Sequence, residues 1–114
     1  MARPFCPRRI ANLPGVVFFK PAGIPLKDLE EEILSLDEFE AVRLSDHEGL
    51  AQAAAAELMG ISRQTFSRIL CKARKTIASC LTEGKAVRIE GGVVHLEGVA
   101  KERVSDLNPL GKDC

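Results

Sequence analysis

Six side chains between positions 63 and 75 (Arg63, Gln64, Ser67, Arg68, Lys72 and Lys75) share one face of a helical projection, with Thr65 beside them in the first turn. Arginine and glutamine present paired hydrogen-bonding groups that match guanine and adenine edges in a major groove. Lysine and serine add donors suited to phosphate oxygens. The chemistry is recognition by charge and hydrogen bond. No reacting centre accompanies it: the chain has no nucleophile elbow, no phosphate-cradling glycine loop and no paired histidine and carboxylate on a plausible strand end. Gly91-Gly92 reads as a turn. The expectation is a binding protein and not an enzyme.

The elements that must position these residues lie in the stretch QAAAAELMGISRQTFSRIL, Gln52 to Leu70. It reads as two helices joined by a tight turn, a helix-turn-helix. Ala56 is small enough for the second helix to cross close above it. Gly60 reaches the positive φ that ends a helix and turns the chain. Ile61 plugs the turn, and Ser62 caps the next helix by accepting a backbone N–H. Phe66, Ile69, Leu70, Ala73, Ile77 and Leu81 recur at three- and four-residue steps and mark the stripe expected to be buried.

At 114 residues the chain makes one domain with one modest core. Its formal net charge of zero conceals a segregated pattern. Residues 1–27 carry five bases and no acid, whereas residues 28–50 carry nine acids against Arg43 alone. Residues 51–81 carry five bases and only Glu57. Binding depends on the local face, so a neutral total does not exclude nucleic acid. No apolar run approaches the roughly 20 residues of a membrane span, and no signal peptide is evident. A cytoplasmic protein with no membrane partner is expected. Cys6, Cys71, Cys80 and Cys114 lack the C-x-x-C spacing of a zinc site, and His47 and His95 fall in no ligand-like spacing with them. No metal or other cofactor is expected. Cys71 and Cys80 read as small packing residues or partly exposed thiols.

In chain order, residues 1–25 hold five of the six prolines and the cluster Arg3, Arg8, Arg9. They form a basic arm, laid on a phosphate backbone or minor groove, or else a flexible basic tail. Val16–Phe19 reads as an extended segment packing on the helical core. Residues 26–34 have helical apolar spacing and predict a short acidic helix. Ser35 and Glu38 fit a capping box that starts a helix over 35–48, with Phe39, Val42 and Leu44 inward. The helical domain spans 26–84, ended by Gly84. Residues 85–98 predict a β-hairpin about Gly91-Gly92, with Arg8–Ile10 a candidate partner strand. Residues 99–114 read as a frayed helix and flexible tail.

The stretch from Leu34 to Lys75 resembles the DNA-binding region 4 of sigma-70-type factors. A capped helix, Arg43-Leu44, Glu48-Gly49-Leu50, Leu58 and Gly60, then Ser62-Arg63 with Thr65 occur in the matching order. More closely, the chain resembles a family of small prokaryotic proteins of unknown function described as predicted DNA-binding proteins. RPxCxRR (Arg3 to Arg9), FKPAGIPL (Phe19 to Leu26), GISRQTF (Gly60 to Phe66) and EGKAVRIEGG (Glu83 to Gly92) carry that resemblance over about residues 1–92. The resemblance implies a sequence-reading DNA-binding domain whose recognition helix starts at Arg63. Some members of that family are linked to a domain resembling iron–molybdenum-cofactor-binding proteins. Nothing here matches such a domain. Two departures stand out. Ala51 and Ala54 occupy the places where such motifs usually carry a Ser or Thr cap and a glutamate, and His47 stands where an apolar residue is usual, so it is expected at the core edge.

The fold expected is therefore mainly α: a sigma-70 region 4-like helix-turn-helix core with an extended N-terminal arm and a small C-terminal β-hairpin. The function expected is a DNA-binding transcriptional regulator. Arg63, Gln64 and Arg68 would read base edges, with Thr65 and Ser67 assisting. Lys72, Arg74, Lys75, Arg3, Arg8 and Arg9 would hold phosphates. The partners expected are double-stranded DNA and a second copy of the chain, because specific sites usually engage paired motifs. The alternative is a protein-interaction module that docks on RNA polymerase or another partner through the acidic face at 28–48.

Overall fold

Within the basic arm, Arg8–Ile10 form a strand. In the computed structural model of the chain, which describes residues 7–96 and 103–105, strand β1 (Arg8–Ile10) alternates buried, exposed, buried. A two-residue period thus sends Arg8 and Ile10 inward and Arg9 outward. β1 is followed by a two-residue strand, β2 (Phe18–Phe19), a 3-10 turn at Leu26–Asp28 and strand β3 (Glu31–Leu34). Helix α1 (Leu36–Val42) continues into a π-helical turn at Arg43–His47, which the Glu48 N–H closes by donating to the Arg43 carbonyl at 2.8 Å. Helices α2 (Gln52–Met59) and α3 (Arg63–Glu83) follow, then strands β4 (Ala86–Ile89), β5 (Val94–Leu96) and β6 (Arg103–Ser105).

The three helices start where their local chemistry permits. Ser35 and Glu38 form the full capping box of α1. Ser62 Oγ accepts the Thr65 N–H at 3.1 Å and starts α3. Ala51 stands at the start of α2 with no side-chain cap. Gly60, at φ 71°, lets its own N–H and that of Ile61 return to the α2 carbonyls, satisfying groups that a helix end leaves open. One core cluster joins Ala41, Leu44, Ala55, Ala56, Met59, Ile61, Phe66 and Leu70, so the turn and both helices close over Phe66. A second joins Ile10, Leu34, Leu36, Ala73, Ile89 and Val94 and binds the strands to α1 and α3. Full burial of a side chain such as Phe66 stabilises by about 1.5–3 kcal/mol.

The strands depart from expectation. Residues 86–96 do not form a hairpin. β4 lies between β2 (antiparallel) and β3 (parallel), while β5 lies between β1 (parallel) and β6 (antiparallel), in a separate sheet. Gly91-Gly92 is the crossing between the two sheets. Its Gly91 carbonyl accepts the Leu36 N–H at 2.9 Å, so the bend is fastened to the start of α1. Arg8–Ile10 does pair with β5, so this part of the arm belongs to the fold.

The acidic helix expected at 26–34 is instead a 3-10 turn and β3. An isolated nine-residue helix is marginal, and as a strand the segment gains a parallel ladder with β4 and cations for its acids. Glu31 meets Arg88 at 3.1 Å, and Glu32 meets Lys85 at 2.9 Å. Val16–Phe19 is extended as expected. It sits at a sheet edge, however, and leaves Val16, Val17 and Phe19 about half exposed. Leu81, expected in the buried stripe, is 81% exposed, and Cys80 takes the inward position. His47 is exposed and not at the core edge. Arg103–Ser105 is a strand, not helix; the rest of 99–114 lies outside the described residues. Among the described residues no helix is long and apolar enough to cross a membrane.

Candidate nucleic-acid interface

α3 runs for 21 residues, and its two faces differ completely. Phe66, Leu70 and Ala73 are buried against α2, α1 and the strands. Arg63, Gln64, Ser67, Arg68, Cys71, Lys72, Arg74 and Lys75 are exposed. The 3.6-residue period makes this division, since residues three and four apart stack on one face. Ser62 fixes where the helix begins, and Phe66 fixes its rotation about its own axis. Together they set which side chains reach solvent.

Within that face the expected base-reading residues separate. Arg63, Gln64 and Ser67 are exposed in the first two turns, and neither Arg63 nor Gln64 has a side-chain partner among the described residues. Arg68 is also exposed, with Nη2 donating to Thr65 Oγ1 at 3.4 Å. Thr65 is a correction. It is only 2% exposed, and its hydroxyl is engaged by Ser62 Oγ at 3.0 Å, so it cannot reach a base edge. It belongs to the cap.

The expected phosphate contacts sort in the same way. Lys75 is exposed with no ion pair among the described residues. Lys72 is 75% exposed in its side chain and stands 3.5 Å from Glu38 Oε2, free to swing outward. Arg74 is held by Asp46 through two hydrogen bonds, Nε to Oδ2 at 3.1 Å and Nη2 to Oδ1 at 2.6 Å. This contact holds the Asp46 carboxyl below its ordinary range, so Arg74 pins α3 to the π-helical turn. It would have to leave Asp46 to hold a phosphate.

Of the arm arginines, Arg8 is corrected outright and Arg9 is engaged elsewhere. Arg8 is 7% exposed and its buried Nε faces Asp37 at 3.8 Å without a hydrogen bond among the described residues, so it cannot touch a phosphate. Arg9 points outward, but its Nε donates to the Leu58 carbonyl at 3.1 Å and its Nη2 to the Glu57 carbonyl at 3.0 Å. A guanidinium there adds its donors to the carbonyls at the negative end of α2, where the Glu57 carbonyl already accepts the Gly60 N–H at 3.1 Å. Arg3 lies outside the described residues. The Arg9 contact left no local signal in the sequence, because it joins positions nearly 50 residues apart.

The acidic stretch is largely consumed within the fold. Asp37, Glu38 and Glu40 are buried. Glu40 accepts the Ala11 N–H at 3.1 Å and both Arg43 Nε and Nη2. Asp46, Glu48, Glu31 and Glu32 each meet a cation. The 28–48 segment therefore offers no continuous acidic surface. Of the thiols left open by the sequence, Cys71 is exposed amid the cations of α3 and Cys80 is buried. Among the described residues no three His, Cys, Asp or Glu side chains gather as a metal site.

With this geometry in view, the chain belongs to a family of uncharacterised prokaryotic proteins: the family model described as "Protein of unknown function DUF134" matches residues 1–97. The chain is similar to a UPF0251 protein of Moorella thermoacetica, 54% identical over 98 residues, which cover 86% of this chain and 66% of that relative. It is 56% identical over 97 residues to a UPF0251 protein of Dehalococcoides mccartyi, covering 85% of this chain and 83% of the relative. A UPF0251 protein of Rhodospirillum rubrum is 54% identical over 94 residues, and the chain spans 66% of its length. The chain thus covers just under two thirds of the Moorella and Rhodospirillum relatives. No solved structure matches it.

Proposed function

We propose that the chain is a DNA-binding transcriptional regulator that inserts α3 into the major groove, using a helix-turn-helix like that of sigma-70 region 4. It acts by binding rather than catalysis, in the cytoplasm, as a homodimer on double-stranded DNA. The observation that carries this reading is the division of α3. Arg63, Gln64, Ser67 and Arg68 stand exposed on its first turns while Phe66 and Leu70 lock the opposite face to α2. A recognition helix needs both: side chains that reach base edges with their N-terminal residues, and a rigid back.

The roles follow from exposure and present partners. Arg63 and Gln64 suit paired contacts to guanine and adenine, with Arg68 and Ser67 flanking them. Lys72 and Lys75, one or two turns further on, suit phosphates and set the register. Burial of Asp37, Glu38 and Glu40 takes three of the nine acids out of the surface that docking on RNA polymerase through residues 28–48 would use, and Glu31, Glu32, Asp46 and Glu48 are already paired with cations.

The reading is tested with two variants on two duplexes: a site selected from a random library, and an unrelated sequence. Arg63→Ala weakens the selected site by roughly 5- to 150-fold, the equivalent of about 1–3 kcal/mol, and relaxes preference at one position. Lys75→Ala weakens both duplexes alike and lowers the salt slope by about 1. Equal effects of the two substitutions on both duplexes would count against α3 as the reading element.

A further inference from the structure

Away from the basic half of α3, an apolar groove of about 570 Å³ opens between the last turns of α3, α1 and the sheet β2-β4-β3. Phe39, Ile77 and Val87 line its floor, and Phe19 and Leu81 stand on its rims. β2 is an edge strand of that sheet, and its flank remains open. Phe19 is 54% exposed and Leu81 is 81% exposed, the highest value among the large apolar side chains described. A phenylalanine offers about 150–250 Å² of surface, so Phe19 alone leaves on the order of 100 Å² in water. Half-exposed Val17 adjoins it, and Lys20 Nζ draws the loop bearing exposed Ile24 alongside through the Ile24 carbonyl at 2.7 Å. Together with the groove wall these reach the few hundred Å² that mark an interaction site on a monomer surface.

We infer that this groove is the interface with a second copy of the chain, related by a two-fold axis, with Leu81 of each copy seated in the groove of the other. Three observations select that occupant. A two-fold contact lays a face on itself, so its charge must be near balance. Here Lys20 and Lys85 stand with Glu30, Glu32 and Glu83, whereas the basic half of α3 would repel its own copy. Projection and hollow lie side by side: a two-fold axis beside Leu81 makes each the complement of the other. Among the described residues the polar side chains of the groove are already engaged, so none is left to orient a small molecule: Lys85 Nζ is shared by Glu32 at 2.9 Å and Glu83 at 3.0 Å, Lys20 Nζ donates to the Pro21 and Ile24 carbonyls, and Cys80 Sγ meets the Ala86 carbonyl at 3.7 Å.

The position along α3 also suits a dimeric reader. Leu81 lies 18 residues beyond Arg63, about 27 Å along the helix axis, so pairing at one end leaves both first turns free. That consequence rests on the proposed function; the interface itself does not.

Sedimentation equilibrium of the full chain and of Leu81→Glu decides the matter, with circular dichroism and a thermal melt on each. The wild type is expected at twice the 12.4 kDa chain mass, and Leu81→Glu at the monomer mass, with a dimer Kd raised by about 30-fold or more. Its fold should persist because the side chain stands in solvent. Phe19→Lys, on the opposite rim, gives a second reading should Leu81→Glu fail to fold. A wild type that stays monomeric at high micromolar concentration, or a dimer that neither change weakens, overturns the inference. So does a monomer whose groove takes up an apolar dye or another protein instead. A wild-type dimer split by these changes supports the interface even where no duplex is bound, so the two proposals fail separately.

Discussion

The Arg9 guanidinium closes the end of helix α2, with Nε donating to the Leu58 carbonyl at 3.1 Å and Nη2 to the Glu57 carbonyl at 3.0 Å. Its carbon Cζ lies 3.4 Å from where a Cβ on Gly60 would stand. The N-terminal strand thereby reaches the turn that orients α3. Sequence alone suggests a phosphate ligand there; the structure shows a fastening between β1 and the helix pair.

Arg9→Ala should therefore lower stability, by about 1 kcal/mol, given the exposure of the contact. A urea titration followed by circular dichroism reads it. An unchanged midpoint, with a loss confined to DNA affinity, would restore Arg9 to the phosphate-binding set.

Gly92→Ala should be worse than its neighbour. Gly92 has φ 98°, and a Cβ there would come within 2.8 Å of Asp37 Oδ1 and 3.1 Å of Ser35 Cβ. Gly91 has φ 78° with nothing within 4 Å. Both changes incur backbone strain, of order 1–3 kcal/mol, but only Gly92→Ala also displaces the capped start of α1. Thermal denaturation should rank Gly92→Ala below Gly91→Ala. Equal losses would mean that a Cβ at Gly92 is accommodated without displacing the start of α1.

Ala51→Ser should stabilise the protein. Ala51 holds extended backbone at the start of α2, with φ −64° and ψ 151°, and caps nothing. A serine there can accept an open N–H of the first turn, a gain of about 0.5–2 kcal/mol. A midpoint of unfolding that does not rise would show that those N–H groups are already satisfied.

Acid should destabilise the fold late. Hydrogen bonds from Arg74, Arg88 and Lys85 hold the carboxyls of Asp46, Glu31 and Glu32 below their ordinary values of 3.8, 4.5 and 4.5. A depressed folded value means that the unfolded chain takes up protons first. The stabilisation is present above the unfolded values and is lost as pH falls through the lower folded ones. Melting temperature should hold down to about pH 4.5 and then drop. In Arg74→Ala the Asp46 part of this drop should vanish. An identical profile for that variant would show that Asp46 gains nothing from the pair.

The helix pair was legible because everything that specifies it is local. Gly60, Ser62 and the spacing of Ala56, Phe66 and Leu70 lie within about four turns. The sheets were not. The β3–β4 ladder joins Glu31–Leu34 to Ala86–Ile89 across more than fifty positions, and the helical apolar spacing of residues 26–34 carries no sign of that distant partner. Side-chain type misled in a similar way. Arg8 announces a cation but not the buried Asp37 that it faces. Thr65 announces a hydroxyl but not that Ser62 Oγ already bonds to it. Leu81 fits the apolar period of α3, and the period continues past the end of the cover that the rest of the chain supplies.

The most direct measurement is fluorescence anisotropy on a genomic-fragment pool and on a random duplex, each over a salt series. The proposal predicts binding whose logarithm falls linearly with log salt, by about 0.9 per phosphate held, and which is tightest for a few fragments. No binding to any duplex at low salt would contradict it.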